Sequence, residues 1–104
     1  MEMPDAAQNK RTRAVIVELL IKRHSDQKSR PDHVLLWHML NDLGCEVGEN
    51  EAITLLQDLS DRGYIVYHEE KNRFTRRAEI SLIQLTPKGR DLYEGTITDP
   101  AFSF

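Results

Sequence analysis

The strongest constraint on the fold is a junction in the middle of the chain, where a helical pattern ends abruptly at a glycine. From residue 49 to residue 62 the apolar residues recur at the spacing of one helix face. They are Ala52, Leu55, Leu56 and Leu59. Gly63 then supplies the left-handed conformation that commonly ends a helix. Residues 64–68, Tyr-Ile-Val-Tyr-His, are rich in β-branched and aromatic side chains and predict a strand directly behind that helix.

Two helices are predicted before this junction. Residues 10–24 group their apolar side chains as a helix with a broad buried face does. Residues 33–43 follow a polar connection, with Asp32 placed to cap the helix start and Gly44 to end it. The leucines predicted to lie in the core of the whole domain are Leu19, Leu36, Leu40, Leu56, Leu59 and Leu85.

A second strand and a last helix are predicted behind the junction. A polar stretch, residues 69–79, separates the first strand from a second one at residues 80–85. Thr86 suits the N-cap of the last helix, and Pro87 suits its first turn, where the missing N–H costs nothing. The predicted order is helix, helix, helix, strand, loop, strand, helix. This is mainly α with a small β-hairpin, an α+β fold.

The length of 104 residues fits one ordinary domain. We expect a disordered N-terminus at residues 1–9, a folded domain at residues 10–95 and a C-terminal tail at residues 96–104. No apolar run is long enough to span a membrane, and the charged N-terminus lacks the apolar core of a signal peptide. The lone Cys45 has no partner for an internal disulfide, so these features together predict a cytoplasmic protein.

Two motifs resemble winged-helix proteins. Residues 55–65 are similar to the L-x-x-L-x-x-x-G-hydrophobic junction between the recognition helix and the wing, and residues 85–92 resemble the L-T-x-x-G-x-x-L segment behind the wing. The resemblance covers roughly residues 10–95. It implies a winged helix-turn-helix with a three-helix core, a two- or three-stranded wing and a C-terminal helix, and the first strand of a three-stranded wing would fall at residues 25–31.

The length and the short tail also resemble a family of small winged-helix proteins encoded by Mu-like prophages. The prophage resemblance adds little about function, because a fold does not fix a function. The winged-helix resemblance implies a DNA-binding protein, a transcriptional regulator or phage-related factor, with double-stranded DNA as its partner. Such proteins most often bind a palindromic site as a two-fold dimer. The tail carries apolar residues that are too few for a core of their own, so a homodimer is predicted through the first helix, the last helix or the tail. These residues are Ile97, Phe102 and Phe104.

The distribution of charge locates the predicted DNA contacts. The net charge of −3 argues against binding through bulk charge, but the chain is basic, then acidic from residue 31 to residue 70, then basic again. The polar stretch at 69–79 carries four cations that can reach phosphates. They are Lys71, Arg73, Arg76 and Arg77. The alternative is a charged loop that only prevents edge-to-edge pairing of strands.

The third helix and the start of the first complete the predicted interface. Asn50, Thr54 and Gln57 share one side of the third helix and can contact base edges, although neighbouring acids repel phosphates. The alternative is a face that only favours helix formation, since Glu49 also complements the helix dipole. A further cluster can lie near the DNA backbone or form a frayed basic end. It consists of Lys10, Arg11 and Arg13.

The sequence contains no catalytic constellation and no metal or cofactor motif, so an enzyme is not expected. The histidines lack metal-ligand spacing; they are His24, His33, His38 and His68. Two functions remain open. The first is a DNA-binding regulator. The second, favoured by the acidic middle of the chain, is a winged-helix protein–protein module, such as an assembly or adaptor component of a phage or a larger complex.

Overall fold

Four helices and one antiparallel hairpin make up residues 6–104, the part of the chain that this computed structural model describes. The elements are α1 (Ala6–Ser25), α2 (His33–Asp42), α3 (Glu49–Asp61), β1 (Ile65–Lys71), β2 (Ala78–Leu85) and α4 (Pro87–Glu94). The predicted α+β class and the order of its elements are confirmed. No helix among these residues combines the length and apolar character needed to cross a membrane.

The helix ends follow from local chemistry. At the start of α2, Asp32 Oδ1 accepts the N–H of Leu35 at 2.8 Å. At the start of α4, Thr86 Oγ1 accepts the N–H of Gly89 at 3.2 Å. A Cβ atom at Gly89 would collide with the carbonyl oxygen of Tyr64, so glycine lets α4 pack directly against the start of the hairpin. Gly63, with φ +84°, makes the turn between α3 and β1.

The core lies between α1, α2, α3 and the inner face of the hairpin. Among the predicted core leucines, Leu36, Leu40, Leu56 and Leu59 are fully buried, whereas Leu19 and Leu85 are only partly buried. Those two lie at the margin of their elements' apolar faces. The largest fully buried side chains are Ile16, Leu36, Leu40, Leu56, Leu59, Ile65, Ile80 and Ile83.

The first helix begins earlier than the sequence predicts. The expected disordered segment was residues 1–9, but residues 6–9 already belong to α1. Ala6, Ala7 and Gln8 are strong helix formers, which explains the earlier start. The rest of the expected disordered segment lies outside the described residues.

A β-bulge reverses the side-chain alternation of β2. Val66 pairs with Gln84 and His68 with Ser81, so one residue of β1 faces two of β2. Leu82 takes up the extra length with φ +54° and leaves its side chain 55% exposed. Because the bulge shifts the phase, Ile80 and Ile83 both face the core although they are three positions apart.

The C-terminal tail folds back on the domain. Tyr64 donates its hydroxyl hydrogen to Asp99 Oδ2 at 2.6 Å, and the N–H of Ala101 donates to Asp99 Oδ1 at 2.8 Å. Phe102 is buried and packs edge-on against the ring of Tyr64, with 5.2 Å between the ring centroids. The expectation that Phe102 offers exposed apolar surface to a second copy is therefore wrong, because its own chain covers it. Phe104 stays 57% exposed.

The hydrogen bond between Tyr64 and Asp99 shifts the pKa of both side chains. Burial, followed by the hydrogen bond to Asp99 and the charge of Asp99, raises the pKa of Tyr64 to about 12. The hydrogen bond from Tyr64 and that from the Ala101 N–H lower the pKa of Asp99. The ionised carboxylate of Asp99 therefore stabilises the docked tail.

Leu59→Ala should lower the free energy of unfolding by about 2–5 kcal/mol, the usual cost of truncating a buried leucine. Leu59 is fully buried on the inward face of α3. Urea unfolding monitored by circular dichroism measures the change, with the exposed Asp61→Ala on the same helix as the control. A Leu59→Ala curve that overlays that of the wild type would contradict the described orientation of α3.

Asp99→Asn should make the protein less stable at neutral pH and remove part of its acid sensitivity. A carboxyl whose pKa is lowered by folding adds stability above its ordinary pKa of 3.8, and this stability is lost as the pH falls below that value. Urea unfolding of both proteins from pH 7 downward measures the difference. It should be largest at neutral pH and shrink below pH 3.8; a difference independent of pH would contradict this role of Asp99.

Candidate nucleic-acid interface

A buried histidine joins the hairpin to the starts of two helices. His33, the first residue of α2, is 4% exposed. Its Nδ1 accepts the backbone N–H of Ile80 at 3.1 Å, and its Nε2 lies 3.1 Å from Oε1 of Glu49. Because Nδ1 acts as an acceptor, the ring proton is assigned to Nε2, which donates to Glu49. One ring therefore holds β2 beside the first turn of α3.

The chain just before α2 supports the same edge of the hairpin. The carbonyl oxygen of Pro31 accepts the N–H of Ile83 at 3.1 Å. Together with His33, it covers the outer edge of β2 where a third strand would otherwise pair. Within residues 6–104 the sheet has two strands, so the connection between α1 and α2 adds a single backbone contact and no strand.

The hairpin tip, residues 72–77, is shaped by hydrogen bonds within itself. The strands extend further into the predicted polar stretch than expected, so this loop is shorter than residues 69–79. Asn72 Oδ1 accepts the N–H groups of Phe74 and Thr75 at 2.8 and 3.1 Å. Arg76 adopts φ +57°, and its N–H donates to the carbonyl oxygen of Asn72 at 2.9 Å. The tip therefore presents its side chains from an ordered backbone.

The predicted cations are all exposed at this tip and its base. Lys71, Arg73 and Arg76 form no ion pair with any of residues 6–104. Arg77 Nη1 lies 3.9 Å from Glu49 Oε2, which brings the basic end of the hairpin next to the start of α3. Phe74 lies among these cations with its side chain 96% exposed, a feature to which the sequence pattern alone gave no role.

The residues predicted to read bases on α3 have different surroundings. Asn50 is exposed at the start of the helix, and the Thr54 hydroxyl donates to the carbonyl oxygen of Asn50 at 2.9 Å. Thr54 itself is exposed. Gln57 is half-buried and donates to Glu69 of β1 at 3.2 Å, so its amide already has a partner in the chain. The exposed readout face is therefore the first half of α3.

The acids that should repel phosphates are partly neutralised. Glu49 contacts both His33 and Arg77. Asp58, further along α3, accepts from Arg13 at 3.2 Å and from Arg62 at 3.0 Å. The pairs Arg13–Asp58 and Arg77–Glu49 join separate elements, so the order of residues in the sequence does not show them. Arg62 follows Asp58 by four positions, so that pair depends on the side-chain rotamers. Asp58, with two arginines at 3.2 and 3.0 Å, is neutralised more fully than Glu49, whose contact with Arg77 is 3.9 Å long.

The basic cluster at the start of α1 lies at the opposite end of α3. Arg13 binds Asp58 and donates to the carbonyl oxygen of Ala101 at 3.2 Å, so it ties α1 to α3 and to the tail. Asp58 is nine residues after Glu49, a distance of about 14 Å along a helix. Lys10 is half-buried and Arg11 is exposed beside this end. The three predicted parts of the interface are therefore divided, and only the hairpin tip and the start of α3 come together.

Comparisons with known proteins bring no assignment to this site. Neither family models nor curated proteins match the sequence, and no solved structure matches it. An account of function therefore depends on the side chains themselves, above all on the exposed cations of the hairpin tip and their position beside the start of α3.

Proposed function

We propose that the protein is a DNA-binding winged-helix protein, a transcriptional regulator or a phage-related DNA-binding factor. The hairpin is its wing and α3 its recognition helix. The observation that carries the proposal is the contact of Arg77 with Glu49, which joins an exposed basic tip to the first turn of α3 in one surface. A recognition helix enters a major groove with its N-terminal residues, so a wing beside that end lies over the adjacent backbone.

Electrostatic attraction comes from the hairpin tip. Lys71, Arg73 and Arg76 extend into solvent without partners among the described residues, so phosphates can bind them without breaking an existing ion pair. The ordered backbone of the tip lowers the entropic cost of fixing these contacts. Attraction localised in this way is compatible with the net charge of −3, since residues 71–77 carry four cations and no acid.

Sequence preference comes from the first half of α3. The amide of Asn50 is exposed and suits an adenine edge, and the methyl group of Thr54 suits a thymine methyl. Gln57 contributes less than the sequence suggests, because Glu69 already binds its amide. A homodimer on a palindromic site remains part of the proposal, with exposed Tyr93 and Phe104 as apolar surface for a second copy.

A second function is favoured by the outer face of α2. Three apolar residues of this helix and its C-terminal end lie outside the core. The exposed fractions of Val34, Leu35 and Leu43 are 40%, 41% and 57%. Apolar surface of this kind suits a protein partner. The alternative is therefore a winged-helix protein–protein module that docks through α2 and does not bind DNA.

The salt dependence of binding distinguishes these functions. The double variant Arg73→Gln/Arg76→Gln should weaken binding to every duplex and flatten the log–log salt slope by about two units, since each phosphate contact contributes about 0.9. The matched control is Lys10→Gln/Arg11→Gln, which removes equal charge at the other end of α3 and should leave the slope nearly unchanged. Fluorescence anisotropy of a labelled mixed-sequence duplex gives both slopes.

Two outcomes would count against the proposal. If the wild type does not bind at about 50 mM salt, where surface attraction is strongest, the α2 protein-docking function becomes the better account. If the control variant flattens the slope as much as the tip variant does, DNA binds elsewhere on the protein.

Asn50→Ala should change the choice among sequences and leave the salt slope unaltered. Loss of a good base contact costs about 1–3 kcal/mol at the contacted base pair. Gln57→Ala is the comparison variant and should have the smaller effect, because its amide is bound to Glu69. Competition among duplexes with single base-pair changes measures both. A larger loss of preference in Gln57→Ala would show that α3 lies in the groove in a different orientation.

A further inference from the structure

An aromatic side chain, that of Phe74, projects into solvent at the hairpin tip. The side chain of Phe74 is 96% exposed, more than any other large apolar side chain among the described residues. The hydrogen bonds that shape the tip use backbone groups and the side chains of Asn72 and Thr75, and none of them needs the ring. The ring therefore does not stabilise the loop that presents it.

The loop nevertheless orders the backbone from which the ring projects. Asn72 Oδ1 accepts the N–H of Phe74 itself at 2.8 Å, and Asn72 and Arg77 close the loop with an N–H to carbonyl contact of 2.9 Å. A ring carried on an ordered backbone loses little conformational freedom when it enters a binding site. A ring on such an ordered loop is better suited to insertion into a binding site than a ring on a mobile loop would be.

The surroundings of the ring define what can receive it. Arg73, Arg76 and Lys71 are exposed around Phe74 and without ion pairs among residues 6–104, so an uncharged apolar pocket would have to desolvate them without compensation. A receptor must combine negative charge with flat apolar surface. A base-pair step between two phosphate backbones provides both, and the position of the tip beside α3 favours DNA over a membrane.

We propose that Phe74 is a wedge that inserts between two base pairs from the minor groove, while its neighbouring cations bind the flanking phosphates. The inference rests on the proposed DNA binding and adds a preference to it. Apolar wedges unstack a step and kink the duplex. Pyrimidine–purine steps such as TA unstack most easily, so the wedge selects duplexes with such a step under the tip.

A fluorescent base at the step tests this insertion. 2-Aminopurine is placed in a central TA step of one duplex and in an A-tract of another, and each is titrated with the full chain. Wild type should raise the fluorescence of the TA duplex well above that of the A-tract duplex. Phe74→Ala should abolish the rise and lower the affinity for the TA duplex roughly tenfold, the effect of losing one aromatic–base contact.

Further variants exclude indirect effects. Phe74→Leu, which keeps an apolar wedge, should retain much of the fluorescence rise. Val66→Ala, which removes an exposed apolar side chain from β1 away from the tip, should behave as wild type. None of these substitutions changes the charge, so the salt slope should stay constant throughout.

The outcomes separate this inference from the proposed function. Normal DNA binding with an undiminished fluorescence rise in Phe74→Ala would overturn the wedge and leave the DNA-binding function standing. Absence of DNA binding by the wild type would overturn both. Co-sedimentation with phosphatidylserine vesicles that depends on Phe74, in a protein that ignores DNA, would assign the ring to an anionic membrane surface and would also overturn the wedge.

Discussion

The position of the hairpin against α3 depends on the imidazole of His33. The ring is buried, and both of its nitrogens have partners, the backbone N–H of Ile80 and the carboxylate of Glu49. Among the described residues, no buried side-chain nitrogen or oxygen lacks a hydrogen-bond partner. The His33 ring is a hydrogen-bond partner for both β2 and α3. An apolar side chain at this position would leave the buried N–H of Ile80 without an acceptor, which is costly, and would leave Glu49 with Arg77 as its remaining partner. The basic tip lies beside the start of α3 because this contact joins the base of the hairpin to that helix.

The β-bulge at Leu82 complements that contact. A leucine at φ +54° is strained, by on the order of 1 kcal/mol or more, and such strain persists only where the surroundings require it. Here it allows Ile80 and Ile83 both to reach the core and directs their N–H groups to His33 and to the carbonyl oxygen of Pro31. The distal strands and the tip are then free to carry polar and charged residues, because the apolar burial is complete at the base of the hairpin.

Features set by neighbouring residues were predictable from the sequence. The end of α3 at Gly63, the cap formed by Thr86 and the class of each element follow from local conformational preferences. Features set by distant contacts were not. The tail docks because Tyr64 and Asp99, 35 positions apart, form a hydrogen bond, and no periodicity reveals such a pairing. Arg13, a candidate for contact with the DNA backbone or for a frayed basic end, pairs with Asp58, 45 positions away. The cations of the hairpin tip were recognisable as exposed from their local clustering. The ion pair between Arg13 of α1 and Asp58 of α3 was needed to separate them in space from the basic start of the chain.

The central claim is that the hairpin tip and the start of α3 form one surface that binds duplex DNA. The most direct measurement is an NMR titration of the ¹⁵N-labelled protein with a short duplex, following each backbone amide. The account predicts that the largest shift changes occur at residues 49–54 and 71–77, with little change at residues 10–13 or in the tail at 96–104. Changes concentrated on the exposed face of α2, or the absence of any change at low salt, would contradict it.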